Sequence, residues 1–223
     1  MTIQIITLFP DIFNGVFTNS MLWKAQNKDL VSINTVDLRQ FGIGNRKTVD
    51  DTPYGGGDGM LLKPEPLFTA VEHCKTISPK ARVLLMTPRG HNYNQQMAEN
   101  YADKKQDLII ICGRYEGYDE RITTLVDDEI CIGPYVLTGG EIPAMIVTDS
   151  VVRLLPGVLG GENSATDESF ISGSNIREFP QYTRPEVYRG LKVPDVLLSG
   201  NHQQIINWRD AQSKQATKKY NAR

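Results

Sequence analysis

Short apolar runs separated by helix-length segments, with glycine-bearing turns after three of the runs, predict an α/β fold built on a parallel sheet. The runs lie at 3–9, 33–38, 83–86, 108–112 and 129–132 and are rich in Ile and Val. They lack the alternation of a half-exposed strand, so they are read as strands buried on both faces. Between them, 64–74, 94–104 and 118–126 have helical patterning and the length that a crossover between parallel strands requires. Residues 141–155 form a longer, largely apolar helix stopped by Pro156, and its few polar positions predict burial on more than one side, in the core or in an oligomer interface. The polar stretch GGENSATDESFISGSNIRE at 160–178 cannot support a packed core and reads as a linker or mobile loop. After 193–198 comes Ser199-Gly200-Asn201, where Asn201 can cap a helix and Gln204 stands at the capping-box spacing. The expected organisation is an α/β domain at 1–160, a flexible interdomain linker at 161–178 and a helical C-terminal domain at 179–223.

With 223 residues, 40% hydrophobic and 22% charged, the chain is long enough to bury a full core without disulfides. Cys74, Cys112 and Cys131 form no CxxC pair, and His73, His91 and His202 do not join them at metal-ligand spacing, so reduced buried thiols and no metal site are expected. The opening MTIQIITLFPDIF has no basic lead and no cleavage site, and nowhere do about 18 apolar residues run together, which predicts a cytoplasmic protein without a membrane partner. A net charge of -2 decides nothing about nucleic acid, but its distribution does more. Residues 201–223 hold Arg209, Lys214, Lys218, Lys219 and Arg223 against Asp210 alone. Taken alone, so short a run describes a solvated helix face.

The glycine cluster Tyr54-Gly55-Gly56-Gly57-Asp58-Gly59-Met60 follows no expected strand and lacks G-x-G-x-x-G spacing, so it is not a dinucleotide fingerprint. Walker A, G-x-S-x-G, H-E-x-x-H and zinc-deaminase signatures are absent too. The chemistry is therefore sought in three loops: 87–90 (TPRG), 113–117 (GRYEG) and 133–140 (GPYVLTGG). All would fall on the carboxyl edge of one parallel sheet, where α/β folds bind ligands. Each loop by itself is no more than a tight turn. Together they bring bare backbone N–H and C=O groups to one place, which suits a purine edge. A second constellation is Arg153 with Asp167 and Glu168. Deprotonating a guanine needs a carboxylate to take the ring proton and a cation to hold the charge that moves to O6.

Six ordered motifs then carry a resemblance over essentially the whole chain: DTPYGGGDGM (51–60), ICGRYEGYDER (111–121), IGPYVLTGGE (132–141), VRLLPGVLG (152–160), FPQYTRPEVY (179–188) and VPDVLLSGNH (193–202). They closely resemble the bacterial tRNA (guanine-N1)-methyltransferase family of the SPOUT superfamily. The resemblance implies a SPOUT-type parallel sheet with a deep trefoil knot, an exception to the rule that chains avoid knots, and a small helical C-terminal domain that binds tRNA. It implies a homodimer whose active site is shared between chains. Pro88, Gly113, Glu116, Ile132, Gly133, Pro134, Tyr135, Val136, Leu137, Gly139 and Gly140 would hold S-adenosylmethionine, and Arg153 matches the family's catalytic arginine. The implied substrate is guanosine 37 of tRNA, preceded by a guanosine at position 36; Mg2+ dependence is associated with the family, with Glu116 a candidate contact. Three departures stand out. Counting from Arg153 places Glu168 where many members have an Asp base, with Asp167 beside it, so either acid can take that role. Pro134 stands where an Asp is common, removing a charge and an N–H donor. The chain ends at Arg223, inside the basic helix, which reads as a shortened tRNA-binding domain. A SPOUT enzyme acting on another RNA position, or a tRNA-binding protein without activity, are the rival readings.

Overall fold

The computed structural model describes residues 1–160, 168–170 and 174–221. They fall into two compact units, Met1–Gly160 and Gly161–Arg223. The first is built on five parallel strands in the order β2-β1-β6-β5-β7, namely β1 (Thr2–Thr7), β2 (Ser32–Asp37), β5 (Arg82–Asn92), β6 (Leu108–Cys112) and β7 (Asp128–Cys131). The central strand β6 reads LIIIC and is buried throughout, because it has a neighbour on each edge and helices over both faces. Side chains leave the strands alternately, and each face has its own core. Ile3, Ile5, Leu84, Leu108, Ile110 and Ile130 pack with α2 (Ser20–Asn27), α4 (Gln95–Asp103) and α5 (Glu141–Val152). Ile6, Val83, Leu85, Ile109 and Ile111 pack with α3 (Pro64–Ile77).

Two elements differ from the sequence expectation. The 118–126 stretch is not an α-helical crossover but a 3-10 helix, Glu120–Leu125. Tyr118 is engaged in a bridge to Leu62, and Asp119 caps the turn by accepting from the Arg121 N–H, which leaves too little chain for regular helical turns. Residues 10–27, unassigned from the sequence, form a 3-10 turn (Pro10–Phe13), the short α1 (Asn14–Phe17) and α2. Phe13 and Phe17 stack at 5.2 Å and reach the core with Leu22 and Ala25.

In the second unit, β8 (Val187–Tyr188) and β9 (Leu191–Lys192) make a small antiparallel hairpin, followed by α6 (Asp195–Leu198) and α7 (His202–Asn221). Asn201 caps α7 as its sequence position suggests: its Oδ1 accepts from Gln204 N–H at 3.1 Å. The Asn201 N–H donates to Ser199 Oγ at 3.1 Å, the place that a capping-box Gln204 side chain would have taken. Of the stretch expected to be a linker, 161–167 and 171–173 lie outside the described residues. Within the rest, Phe170 N–H donates to Ile176 O at 2.9 Å and Glu178 N–H to Ser169 Oγ at 3.0 Å.

Candidate active site

The carboxyl ends of β5, β6 and β7 enclose a cavity of about 540 Å³. The first wall is a detour inside β5. Both Met86 and His91 pair with Ile130 of β7, so 87–90, expected as a loop after the strand, loops out within it. Pro88 has no N–H to donate there. Gly90 lets the strand return, because a Cβ would run into the backbone of Glu129 and Ile130. The second wall is the loop after β6. Its Glu116 N–H donates to Met60 O at 3.1 Å, and Gly117 O accepts from Leu62 N–H at 3.0 Å. These bonds fasten the 51–60 glycine segment to the cavity wall. Gly59, at φ +85°, carries no side chain because a Cβ would stand 2.5 Å from Glu116 Cγ. Of the glycine run that fits no nucleotide fingerprint, Gly59 is the member that meets this loop.

The third wall, the loop from β7 to α5, lies flat against the end of β6. Gly140 N–H donates to Gly113 O at 2.9 Å, and a Cβ on Gly140 would stand 2.7 Å from Cys112 Cα. Tyr135 folds back on the loop, its hydroxyl donating to Ile132 O at 3.2 Å. Ten of the residues expected to hold the cofactor line this one cavity: Pro88, Gly113, Glu116, Ile132, Gly133, Tyr135, Val136, Leu137, Gly139 and Gly140. Pro134 does not line it.

Charged groups gather beneath the third wall, with little in the sequence to mark their pairing. Glu141 is 1% exposed. Its Oε1 accepts from the Thr7 hydroxyl at 2.9 Å, and its Oε2 stands 2.9 Å from Arg114 Nε. The Nε–H is not aimed along that line, so this is an ion pair by distance rather than an aligned hydrogen bond. Arg114 Nη1 donates to Thr138 O at 3.2 Å, and its guanidinium lies 4.5 Å from the Phe9 ring centroid. Burial first, and the Glu141 charge second, push the Cys112 thiol well above its ordinary pKa. Burial also raises the Tyr115 phenol, with Asp50 acting in the same direction. A strand-end arginine and an acid opening an apolar helix are the only sequence signals that point to this pair.

Of the expected catalytic residues, one belongs to the same unit as the cavity. Arg153 is half-buried at the C-terminal end of α5, its N–H donating to Asp149 O at 3.0 Å, and it does not line the cavity. Twelve helical steps separate it from Glu141, roughly 18 Å at 1.5 Å per residue. Glu168 is half-buried in the second unit, and Asp167 lies outside the described residues. Among the described residues no three His, Cys, Asp or Glu side chains are grouped as metal ligands, and no helix is long and apolar enough to cross a membrane.

Comparison with known proteins adds a second line of evidence. A family model described as tRNA (guanine-1)-methyltransferase TrmD matches residues 1–223. A tRNA (guanine-N(1)-)-methyltransferase of Geobacillus kaustophilus is 57% identical over 218 residues, covering 97% of this chain and 88% of the relative. Proteins of the same name from Brevibacillus brevis and Listeria monocytogenes are 56% and 54% identical, each covering at least 97% of this chain and 88% of the relative.

Proposed function

Because this chain belongs to the tRNA (guanine-1)-methyltransferase family, we infer that it transfers a methyl group from S-adenosylmethionine to N1 of a guanine in tRNA, at position 37 next to a guanosine at 36. The observation that carries this reading is the cavity where three strand ends meet. Its volume falls in the range of small-molecule sites. Its glycine-rich walls bring backbone groups close enough to bind an adenosine edge, with Ile132, Val136 and Leu137 as apolar lining. Bound there, S-adenosylmethionine supplies the electrophilic methyl group. Glu116, one of two glutamates lining the cavity, is our candidate contact for Mg2+.

The protein's own part is to position guanine, take its N1 proton and hold the charge that appears on O6. N1 is a weak acid, so a carboxylate removes its proton only if a cation stabilises the anion at the same time. Arg153 is the cation, and Glu168 takes the proton, with Asp167 as the alternative. Since Arg153 sits about 15 Å along α5 from Pro143, the residue of that helix that lines the cavity, one chain does not bring the cofactor and Arg153 to the same guanine, and we assign the completed site to a homodimer. Exposed apolar side chains support this: Ile142 and Ile146 on α5 are 50% and 41% exposed, and Trp23 on α2 is 51% exposed. The trefoil knot belongs to the same reading. After the edge strand β7, the chain crosses back over the sheet, touches the end of β6 at Gly140 and continues as α5 against β1 and β6. The basic helix α7 would hold tRNA phosphates.

Binding and transfer assays test the function. S-adenosylmethionine should bind, and label should move to a tRNA carrying G37 and not to one carrying A37. Binding without transfer to any tRNA would favour a tRNA-binding protein without activity.

A further inference from the structure

Among the described residues, Glu141 is the only charged residue in the buried class. A carboxylate is not held there without compensation, since burying an ion costs several kcal/mol unless it is paired and hydrogen-bonded. Its compensation comes from two places far apart in the sequence: the Thr7 hydroxyl at the end of β1 and the Arg114 guanidinium after β6. The first turn of α5, where Glu141 sits, also favours a negative charge. The mechanism above uses neither Glu141 nor Arg114.

The arginine continues the chain of contacts. From Glu141 it lies against the Phe9 ring and donates to Thr138 O, a backbone atom of the 133–140 loop. One guanidinium therefore ties together the ends of β1 and β6 and the loop from β7 to α5. The sequence of that loop is fitted to it: a Cβ on Gly139 would collide with Arg114 Nε and stand 2.6 Å from Glu141 Oε2. Residues on both sides of this contact, Leu137 and Gly140, line the cavity.

We propose that Glu141 is a positioning residue that holds the 133–140 loop in its cofactor-binding shape through Arg114. This rests on the cavity being the S-adenosylmethionine site. Arg114 itself lines the cavity while Glu141 does not, so Glu141 acts on the cofactor only through Arg114 and the loop backbone that Arg114 holds. Replacing Glu141 alone leaves a guanidinium with its buried partner gone, and replacing Arg114 alone leaves a buried carboxylate, so each single change disturbs the loop more than its size suggests.

The test is a double-mutant cycle on cofactor affinity, with Glu141→Gln, Arg114→Met and the double variant, each measured for S-adenosylmethionine Kd, tRNA Kd and melting temperature. The wild-type titration comes first: if the wild type does not bind S-adenosylmethionine, the cofactor-site reading falls and this proposal falls with it. Given wild-type binding, each single variant should raise the cofactor Kd by about tenfold or more, and the double variant should be no worse than the weaker single, because coupled residues are not additive. The tRNA Kd should stay within about twofold, since a loop effect does not reach the phosphate contacts. If the single variants fail to fold, the double variant, with both charges removed, remains the readable one. A double variant with wild-type cofactor affinity, strictly additive single effects, or cofactor and tRNA affinities falling together with melting temperature would each overturn the proposal.

Discussion

Helix α5 of the first unit buries seven of its 12 residues, including the charged Glu141, whereas α7 of the second unit has 20 residues and buries none. The first helix is shaped by what it packs on: Ala144, Val147, Val151 and Val152 belong to the core that also holds β1 and β6. The second carries Arg209, Lys214, Lys218 and Lys219, and none of its described residues is buried. A cofactor bound through backbone groups needs walls held to a fraction of an ångström, and only a packed core supplies that. A phosphate chain needs charge at the right spacing and tolerates motion. The contrast predicts that variants in the packed walls of the cavity change cofactor affinity and stability, while variants outside those walls change what happens to tRNA.

The largest expected effect lies in the second unit and would break the contrast if it touched the cofactor. Glu168→Gln should abolish methylation at saturating S-adenosylmethionine, while Asp167→Asn slows it modestly, with tRNA binding intact in both. Single-turnover rates decide: the reverse ranking moves the base to Asp167, and two near-wild-type rates remove both acids from the chemistry. Arg153→Ala comes next. Losing a donor to developing charge on O6 should cost about 2.7–4 kcal/mol in the transition state with cofactor affinity little changed, and activity within a few fold of wild type would make Arg153 structural.

Gly140→Ala sharpens the first half of the contrast. Its Cβ would stand 2.7 Å from Cys112 Cα, against backbone that cannot move aside cheaply. Overpacking of this kind costs typically about 1–3 kcal/mol of stability. Calorimetry and cofactor titration should both register it, and an unperturbed cofactor Kd would mean the close approach does not define the site. The smallest effect belongs to α7. Exchanging Lys218 and Lys219 together for Ala should weaken tRNA binding evenly across sequences and reduce the salt slope by about 2. An unchanged slope would remove α7 from the phosphate contacts.

How much of this was legible in the sequence follows from how local each feature is. The five strands were, because runs of Ile and Val announce extended structure by their own composition, but β2, at the edge of the sheet, has no buried residue where burial on both faces was expected. So was the Asn201 cap, whose bond reaches only three residues on. The 10–27 segment was not, since Gly15 interrupts it and its Phe13–Phe17 contact gains meaning only against the core. The detour at 87–90 was placed one step too late, because the shift that creates it is set by β7, some 40 residues further along. Gly59 and the Glu141–Arg114–Thr7 cluster depend on partners distant in sequence. Ten of the proposed cofactor residues line one cavity because nine follow the ends of β6 and β7, where parallel topology gathers loops regardless of their separation, and Pro88 lies in the detour within β5. Arg153 follows a helix rather than a strand end, so that rule does not reach it.

The central claim is that this chain modifies N1 of guanosine 37. It is tested most directly by incubating an unmodified G36-G37 tRNA transcript with the protein and labelled S-adenosylmethionine, digesting the product and identifying the methylated nucleoside by mass spectrometry. The account predicts a single product, N1-methylguanosine at position 37, lost when position 37 is changed to A. A methyl group on a ribose 2′-oxygen, or on a base at another position, would contradict it.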